Sequence, residues 1–422
     1  MYWKHLSHDE IKDLIFGAIN KNSNYQTEPV LGIPASYLDK EEFYDDAPFL
    51  KDAPFLTSLI ANPNHIGCHT LSSSQSEDIF RGTQQIEVDL IRICAEKIFG
   101  GKPNAQDGYV ATGGTEGNIQ ACWIYRNYFI KKYSAKLHEI ALVYSEDSHY
   151  SLPKAADVLN LKSVELEVNN SNRKIKLPFL KNAIKKSIEN GTKYFIVILN
   201  MGTTMFGSVD DIETITAFFD AENLNYKVHV DAAFGGFIYP FTNPDSKYTF
   251  NNPKITSVVL DAHKMLQAPY GTGIFLIRKG LMQYVCTEEA RYILGKDYTL
   301  CGSRSGANAI SVWMILRTHG SDGWKVKITK LIDRTTHLCN QLSELRVQFF
   351  RNPFLNIIAI KAENIPVKLA KKYHLVPDTF KETPQWWKIV VMSHVKQGVL
   401  DSFIMDLKAE LTHAKPVEKQ IN

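Results

Sequence analysis

Residues 256–279 read TSVVLDAHKMLQAPYGTGIFLIRK. The apolar runs Val258–Leu260 and Ile274–Ile277 have the composition of buried strands, and the polar loop between them carries Asp261, His263 and Lys264. A lysine so near a core is unusual: an ammonium withdrawn from water sheds its proton more readily, which is the state an amine nucleophile needs. The plainer alternative is a lysine that snorkels out of its loop. By itself a histidine-lysine pair after a strand is more often structural than catalytic.

Outward from this stretch, strand and helix patterns alternate. EIALVYS precedes a helix from Lys154 to Asn160, SVELEV one from Leu177 to Glu189, and KYFIVILNMG one from Ile212 to Asp220; KVHVDAAFGG, ITSVVL and GIFLIR follow. Strands apolar on both faces and separated by helices predict an α/β fold, a mostly parallel sheet covered on both sides. Ligands then lie at the carboxyl ends of the strands. Those ends hold Gly113 and Gly114, His149, Thr203 and Thr204, Asp231, and His263 with Lys264.

Each has a local reading. GYVATGGTEGNIQACWIYRNYF (108–129) runs from a strand through two glycines into a helix beginning near Thr115, where free amides and the helix dipole favour an anion such as phosphate. The GxxxxGK pattern of a Walker loop is absent from it, and a plain strand-to-helix turn is the alternative. Asp231 ends a buried strand, so its carboxylate is expected to find a cationic partner. His149 in EDSHYS is either a satisfied loop residue or a flat ring stacked on a ligand.

The remaining chain frames these ends. With 422 residues there is room for about two or three domains. We expect an N-terminal arm over 1–60, a large domain over 61–320 and a small α+β domain over 321–422. The arm holds a helix from Asp9 to Ile19, LGIPAS (31–36) and two near-copies of DAPFLK. A core-facing helix from Thr83 to Phe99 follows it. Helices from Ala307 to Thr318 and from Trp324 to Leu345 lead into the last unit. There FLNIIAIKA and KIVVMSHV read as strands, and Val367–Tyr373 and Val399–Leu411 as helices.

Composition narrows the function. The formal net charge of +3, with both signs interspersed, offers no footprint for nucleic acid and no basic face for a membrane, so a small-molecule ligand is expected. No apolar run approaches the roughly 18 residues of a membrane span, and MYWKHLSHDEIKDLIF is unlike a signal peptide, so a cytoplasmic location is expected. Six scattered cysteines fit a reducing compartment. Cys68 with His65 and His69 invites a zinc reading, but no second pair follows at ligand spacing, and no metal is expected.

A phosphate nest, a stackable histidine, a buried aspartate and a loop lysine suit pyridoxal 5'-phosphate, with its phosphate, flat ring, ring nitrogen that must stay protonated, and aldehyde that condenses with lysine. The sequence also resembles the group II pyridoxal-phosphate-dependent amino-acid decarboxylases, above all the short bacterial histidine decarboxylases and the archaeal tyrosine/aspartate decarboxylases. TGGTEGN, EDSHYS, NMGTTMFGSVDD, HVDAAFGGFIYPF, DAHK and CGSRSG stand in the family's order, and WWKIVVMSHV looks like the archaeal branch. The likeness spans about residues 105 to 415 and is weaker before them, although LGIPAS looks like a motif of the histidine enzymes.

The resemblance implies a type I aminotransferase-like fold and a role for each matching position. Lys264 would form the Schiff base, Asp231 pair with the ring nitrogen, and His149 stack on the ring and help hold substrate. Gly114, Thr115, Glu116 and His263 would take the phosphate, Thr203 or Thr204 contact the phenolic-oxygen side, and Ala233 pack beneath the ring. Ser303 would reach the phosphate of a neighbouring subunit, which implies a homodimer. Tyr292 would return a proton to Cα. Arg304 fits an ion-pair partner as well as a substrate ligand. The activity implied is loss of carbon dioxide from an L-amino acid, leaving the amine. A carbon-carbon lyase resembling sphingosine-1-phosphate lyase, a decarboxylation coupled to oxidative deamination, and a cofactor-binding scaffold without catalysis are the alternatives. The amino acid itself is left open among histidine and aromatic, acidic or basic ones.

Overall fold

The computed structural model describes residues 2–24, 28, 53–67, 78–287 and 296–413. LGIPAS, Cys68, His69 and Tyr292 fall outside them.

Seven strands build the main sheet: β1 (Gln106–Ala111), β2 (Ile140–Ser145), β3 (Lys162–Leu166), β4 (Tyr194–Asn200), β5 (Asn225–Asp231), β6 (Ile255–Asp261) and β7 (Gly273–Arg278). Their order across the sheet is β1-β7-β6-β5-β4-β2-β3. The pairs from β3 through β6 are all parallel, whereas β7 runs antiparallel to both its neighbours. GIFLIR is thus the strand that breaks the parallel pattern. The loop from Asp261 to Gly273 is too short for a helical crossover, which takes a dozen or more residues. Both faces are covered as the apolar runs require: in β4, Phe195, Val197 and Leu199 pack into one buried cluster, and Ile196 and Ile198 into another.

Helix positions follow the sequence reading closely: Gly114–Tyr133, Ser151–Leu159, Leu177–Glu189 and Ile212–Ala221. One reading changes and another is borne out. The helix expected over Thr83–Phe99 is α-helical over Arg81–Arg92 and then widens to a π turn over Ile93–Ile98. The two helices expected after Ala307 are present within Gly306–Glu344, separated where the backbone leaves helical geometry at Gly320 with φ 59°. Only a glycine holds that backbone easily, and a Cβ there would sit 2.9 Å from His5 Cβ. The N-terminal segment lies against the break: Trp3 Nε1 donates to the Leu316 carbonyl at 2.8 Å, and Ser321 N to the Trp3 carbonyl.

The C-terminal stretch forms an antiparallel sheet of β8 (Phe349–Phe350), β9 (Ile357–Lys361), β10 (Val376–Pro377) and β11 (Trp386–Val390), in the order β10-β11-β9-β8. Helices Val367–Lys372 and Gln397–His413 accompany it, and Leu338, Ile358, Ile360 and Phe403 lie in its buried cluster. The two-residue strands β8 and β10 were too short to leave a periodic signal.

Candidate active site

Because β7 alone is reversed, the carboxyl ends of β1, β2, β4, β5 and β6 share one edge of the sheet. A cavity of about 410 Å³ opens there, lined by Gly114, Thr115, Glu116, His149, Thr203, Thr204, Asp231, Ala233, His263 and Lys264. Ten of the twelve residues proposed from sequence therefore meet in one place. Ser303 is not among the cavity's lining and accepts a hydrogen bond from Asn64 Nδ2 at 3.1 Å. Tyr292 lies outside the described residues.

Two glycines set the shape of the entry. β7 begins at Gly273, opposite both Ala111 and Asp261, and a Cβ on it would fall 2.5 Å from Gly113 Cα. Gly117 lets the Gly114–Tyr133 helix lie on β6, since its Cβ would be 2.3 Å from Val259 Cγ2. The helix starts without a side-chain cap, so its first amides and dipole face the cavity end of the sheet. The Glu116 carboxylate turns back instead to accept from Thr112 N at 2.7 Å, Thr112 Oγ1 at 2.8 Å and Tyr109 OH at 3.0 Å.

Lys264 is half-buried, with 35 % of its side chain exposed, and its Nζ sits 3.1 Å from Asp261 Oδ2. Burial pushes the Asp261 carboxyl up, against the opposing pull of Lys264 and His263. His263 Nε2 is 3.5 Å from the same oxygen, while His263 Nδ1 and Asp261 Oδ1 are buried without a partner. Burial lowers both the His263 and His149 imidazoles, favouring the neutral rings.

Asp231 is held by neutral groups of the protein. No ion pair among the described residues includes it; Oδ2 accepts from Asn118 Nδ2 at 2.8 Å and Oδ1 from Ala233 N at 3.1 Å. Two neutral donors hold it, leaving its cavity side for a ligand. Of the two threonines, Thr203 turns its hydroxyl to Ser208 Oγ at 2.7 Å, and the Thr204 carbonyl accepts from Lys388 Nζ at 3.1 Å.

Arg304 is a structural cation. It bonds Glu87 Oε1 at 2.6 Å, the His65 carbonyl at 2.7 Å and the Val110 carbonyl at 3.2 Å. Burial works against the charge on Glu87, but Arg304 and His65 hold its carboxyl at about 2. His65, read as a possible metal ligand, has Nδ1 2.5 Å from Glu87 Oε2 and Nε2 3.0 Å from Thr83 Oγ1. Sequence reasoning missed Asn118, Asp261 as the partner of Lys264, and Lys388. The only signal for Asp261 was its place three residues before the lysine.

An amine, a carboxylate, a flat imidazole and uncapped helix amides around one cavity suit an aldehyde-bearing, phosphorylated heterocycle. The unpartnered His263 Nδ1 and the backbone bared at Gly114, whose Cβ would be 3.0 Å from Ala233 Cβ, fit its anionic end. Fold and site thus define a pyridoxal-phosphate enzyme. Residues 83–352 match the pyridoxal-dependent decarboxylase conserved domain. Tryptophan decarboxylase of Clostridium sporogenes is 47% identical over 407 residues, 96% of this chain and 97% of that one. Histidine decarboxylase of Vibrio campbellii is 30% identical over 72% of this chain and 75% of that one. Sphingosine-1-phosphate lyase of Burkholderia pseudomallei superposes with a TM-score of 0.70 at 15% identity, over 92% of this chain and 94% of that one, a likeness of fold alone. The chain belongs to the pyridoxal-dependent decarboxylase family. It is a carboxy-lyase that uses pyridoxal phosphate to decarboxylate an amino acid.

Proposed function

We propose that the substrate is an aromatic L-amino acid, with L-tryptophan first among them. One observation carries this: the near full-length identity to a tryptophan decarboxylase, well above that to the histidine enzyme. Tyr150 and Tyr270 at the cavity rim, both largely exposed, supply aromatic surface in keeping with it.

Bound here, the cofactor would supply an aldehyde that links to amines and a protonated ring that draws electrons from the bond to carbon dioxide. The residues that would hold it are the amides of Gly114, Thr115 and Glu116 with His263 for the phosphate, Thr204 or Thr203 beside the ring, Ala233 beneath it and His149 above it. Asp231 would face the ring nitrogen. Lys264 supplies the amine, and Asp261 Oδ2, at 3.1 Å, is placed to hold or take a proton from its Nζ. Neutral His149 can donate a hydrogen bond to a substrate carboxylate without adding a counter-charge that would stabilise it against leaving. Tyr292 is the candidate to return a proton to Cα.

We place the protein in the cytoplasm as a homodimer, with Ser303 serving the partner's site; among the described residues no helix is long and apolar enough to cross a membrane. Light scattering at twice 47.9 kDa is the expected mass. The division into 1–60, 61–320 and 321–422 is likewise proposed, with the break at Gly320 as its last boundary.

The test is incubation of the loaded protein with the twenty amino acids plus ornithine and diaminobutyrate, reading amine, carbon dioxide and hydrogen peroxide. Tryptamine and carbon dioxide in equal amounts, without peroxide, are expected. A tenfold higher kcat/KM for a non-aromatic amino acid would overturn the assignment.

A further inference from the structure

Behind Asp231 a run of side-chain hydrogen bonds crosses the buried interior. Tyr125 OH bonds Ser257 Oγ, which lies 2.6 Å from His229 Nδ1. His229 Nε2 is 2.9 Å from Asn118 Oδ1. Asn118 Nδ2 then reaches two acceptors, Asp231 Oδ2 at 2.8 Å and Ser151 Oγ at 2.9 Å, and Ser151 Oγ is 3.0 Å from His149 Nδ1. Tyr125, Ser257, His229 and Asn118 are at most 1 % exposed.

We propose that Asn118 is a positioning residue that ties the Asp231 carboxylate and the His149 ring into one hydrogen-bonded unit, with His229, Ser257 and Tyr125 fixing the sense of its amide. The proposal deepens the cofactor roles given to Asp231 and His149 and rests on them.

The direction of every bond follows from groups that have no choice. A carboxylate only accepts, so Asn118 turns Nδ2 to Asp231 and Oδ1 to His229. Oδ1 only accepts, so His229 carries its proton on Nε2. Its Nδ1 then accepts from Ser257, whose oxygen accepts from Tyr125. Burial is the main influence on His229 and holds it down to about 4, with Asp231 pulling the other way, so the ring is neutral at pH 7. At the far end the Ser151 backbone N–H, which can only donate, lies 3.2 Å from His149 Nδ1. The neutral His149 ring therefore carries its proton on Nε2, which has no protein partner among the described residues and belongs to a ring lining the cavity. The charges facing that ring are Asp231, Lys264, Asp261 and Lys154. A single amide thus sets a carboxylate and an imidazole relative to each other, and the one N–H of the run without a protein partner among the described residues, that of His149 Nε2, belongs to a ring lining the cavity.

The histidine tautomers are read by 15N NMR of the cofactor-free protein at pH 7. His149 and His229 are both expected as the Nε2–H form; an Nδ1–H form of either ring overturns the proposal whether or not any variant folds. Pyridoxal phosphate affinity for the same apoprotein, from quenching of tryptophan fluorescence, separates positioning from packing. His229→Gln keeps a donor towards Asn118 and is expected within about threefold of the wild-type Kd. His229→Leu and Asn118→Leu remove a partner and are expected to weaken binding at least tenfold. Equal affinities for the Gln and Leu variants of position 229 would mean that packing alone is at work and sink the idea. If the wild-type protein bound no pyridoxal phosphate, the cofactor reading itself would fail, while the tautomers would still decide the hydrogen-bond run.

Discussion

Asp231 and His229 stand two residues apart on β5, one facing the cavity and the other enclosed, and the enclosed one has a measurable cost. His229 is fully buried and held at about 4, against an ordinary value of 6.5. Below about pH 6.5 the unfolded chain takes up a proton that the folded protein refuses until about pH 4, so acid favours unfolding. The stability this group contributes is lost at about 1.4 kcal/mol per pH unit across that window. Asp210, fully buried and raised to about 6, has the opposite sign: the folded protein binds its proton first and gains as pH falls. The two nearly offset each other in the wild type. Denaturant titrations of His229→Gln should therefore show stability relative to wild type rising as pH drops from 6.5 to 4; a parallel pH profile for the two proteins would contradict this. At this scale the sequence made Lys264, Asp231 and His149 legible because each lies at or just beyond the carboxyl end of an apolar strand. Asn118 was not legible, since an asparagine one turn into a helix carries no pattern; its importance depends on Gly117 bringing that helix onto β6.

Elements meet at the cavity through close backbone approach rather than through side chains. Gly273→Ala would drive a Cβ to 2.5 Å from Gly113 Cα, and the backbone there has no flexible end to yield. Overpacking of this kind costs about 3 kcal/mol. A lowered melting temperature together with weakened pyridoxal phosphate binding is expected, because the displaced segment carries the uncapped helix start. Unchanged melting would show that the contact can relax. The order of strands and helices was readable from periodicity, but the reversal of β7 was not, since a strand buried on both faces looks alike in either direction. The π turn over Ile93–Ile98 stayed hidden for a related reason: it keeps a helical spacing of apolar residues while altering the backbone beneath it, whereas the break at Gly320 falls in the gap the sequence left between Thr318 and Trp324.

Over the whole molecule, the C-terminal sheet closes on the loop after β4 that borders the cavity. Phe206 meets Trp386 at 5.4 Å and Phe350 at 6.1 Å in edge-to-face contacts, the Arg173 guanidinium lies over its ring at 3.9 Å, and Lys388 holds the Thr204 carbonyl. The sequence set this unit apart as a small α+β domain but gave no hint that it reaches the site, because such contacts join residues more than 140 positions apart. The central claim is that the amine of Lys264 and the carboxylate of Asp231 address one cofactor in one cavity. Borohydride reduction of the loaded protein, followed by peptide mass spectrometry, tests it most directly. A phosphopyridoxyl group on Lys264, lost in Lys264→Ala and destabilised in Asp231→Ala, is the expected result; the label on another lysine, with Lys264 unmodified, would contradict it.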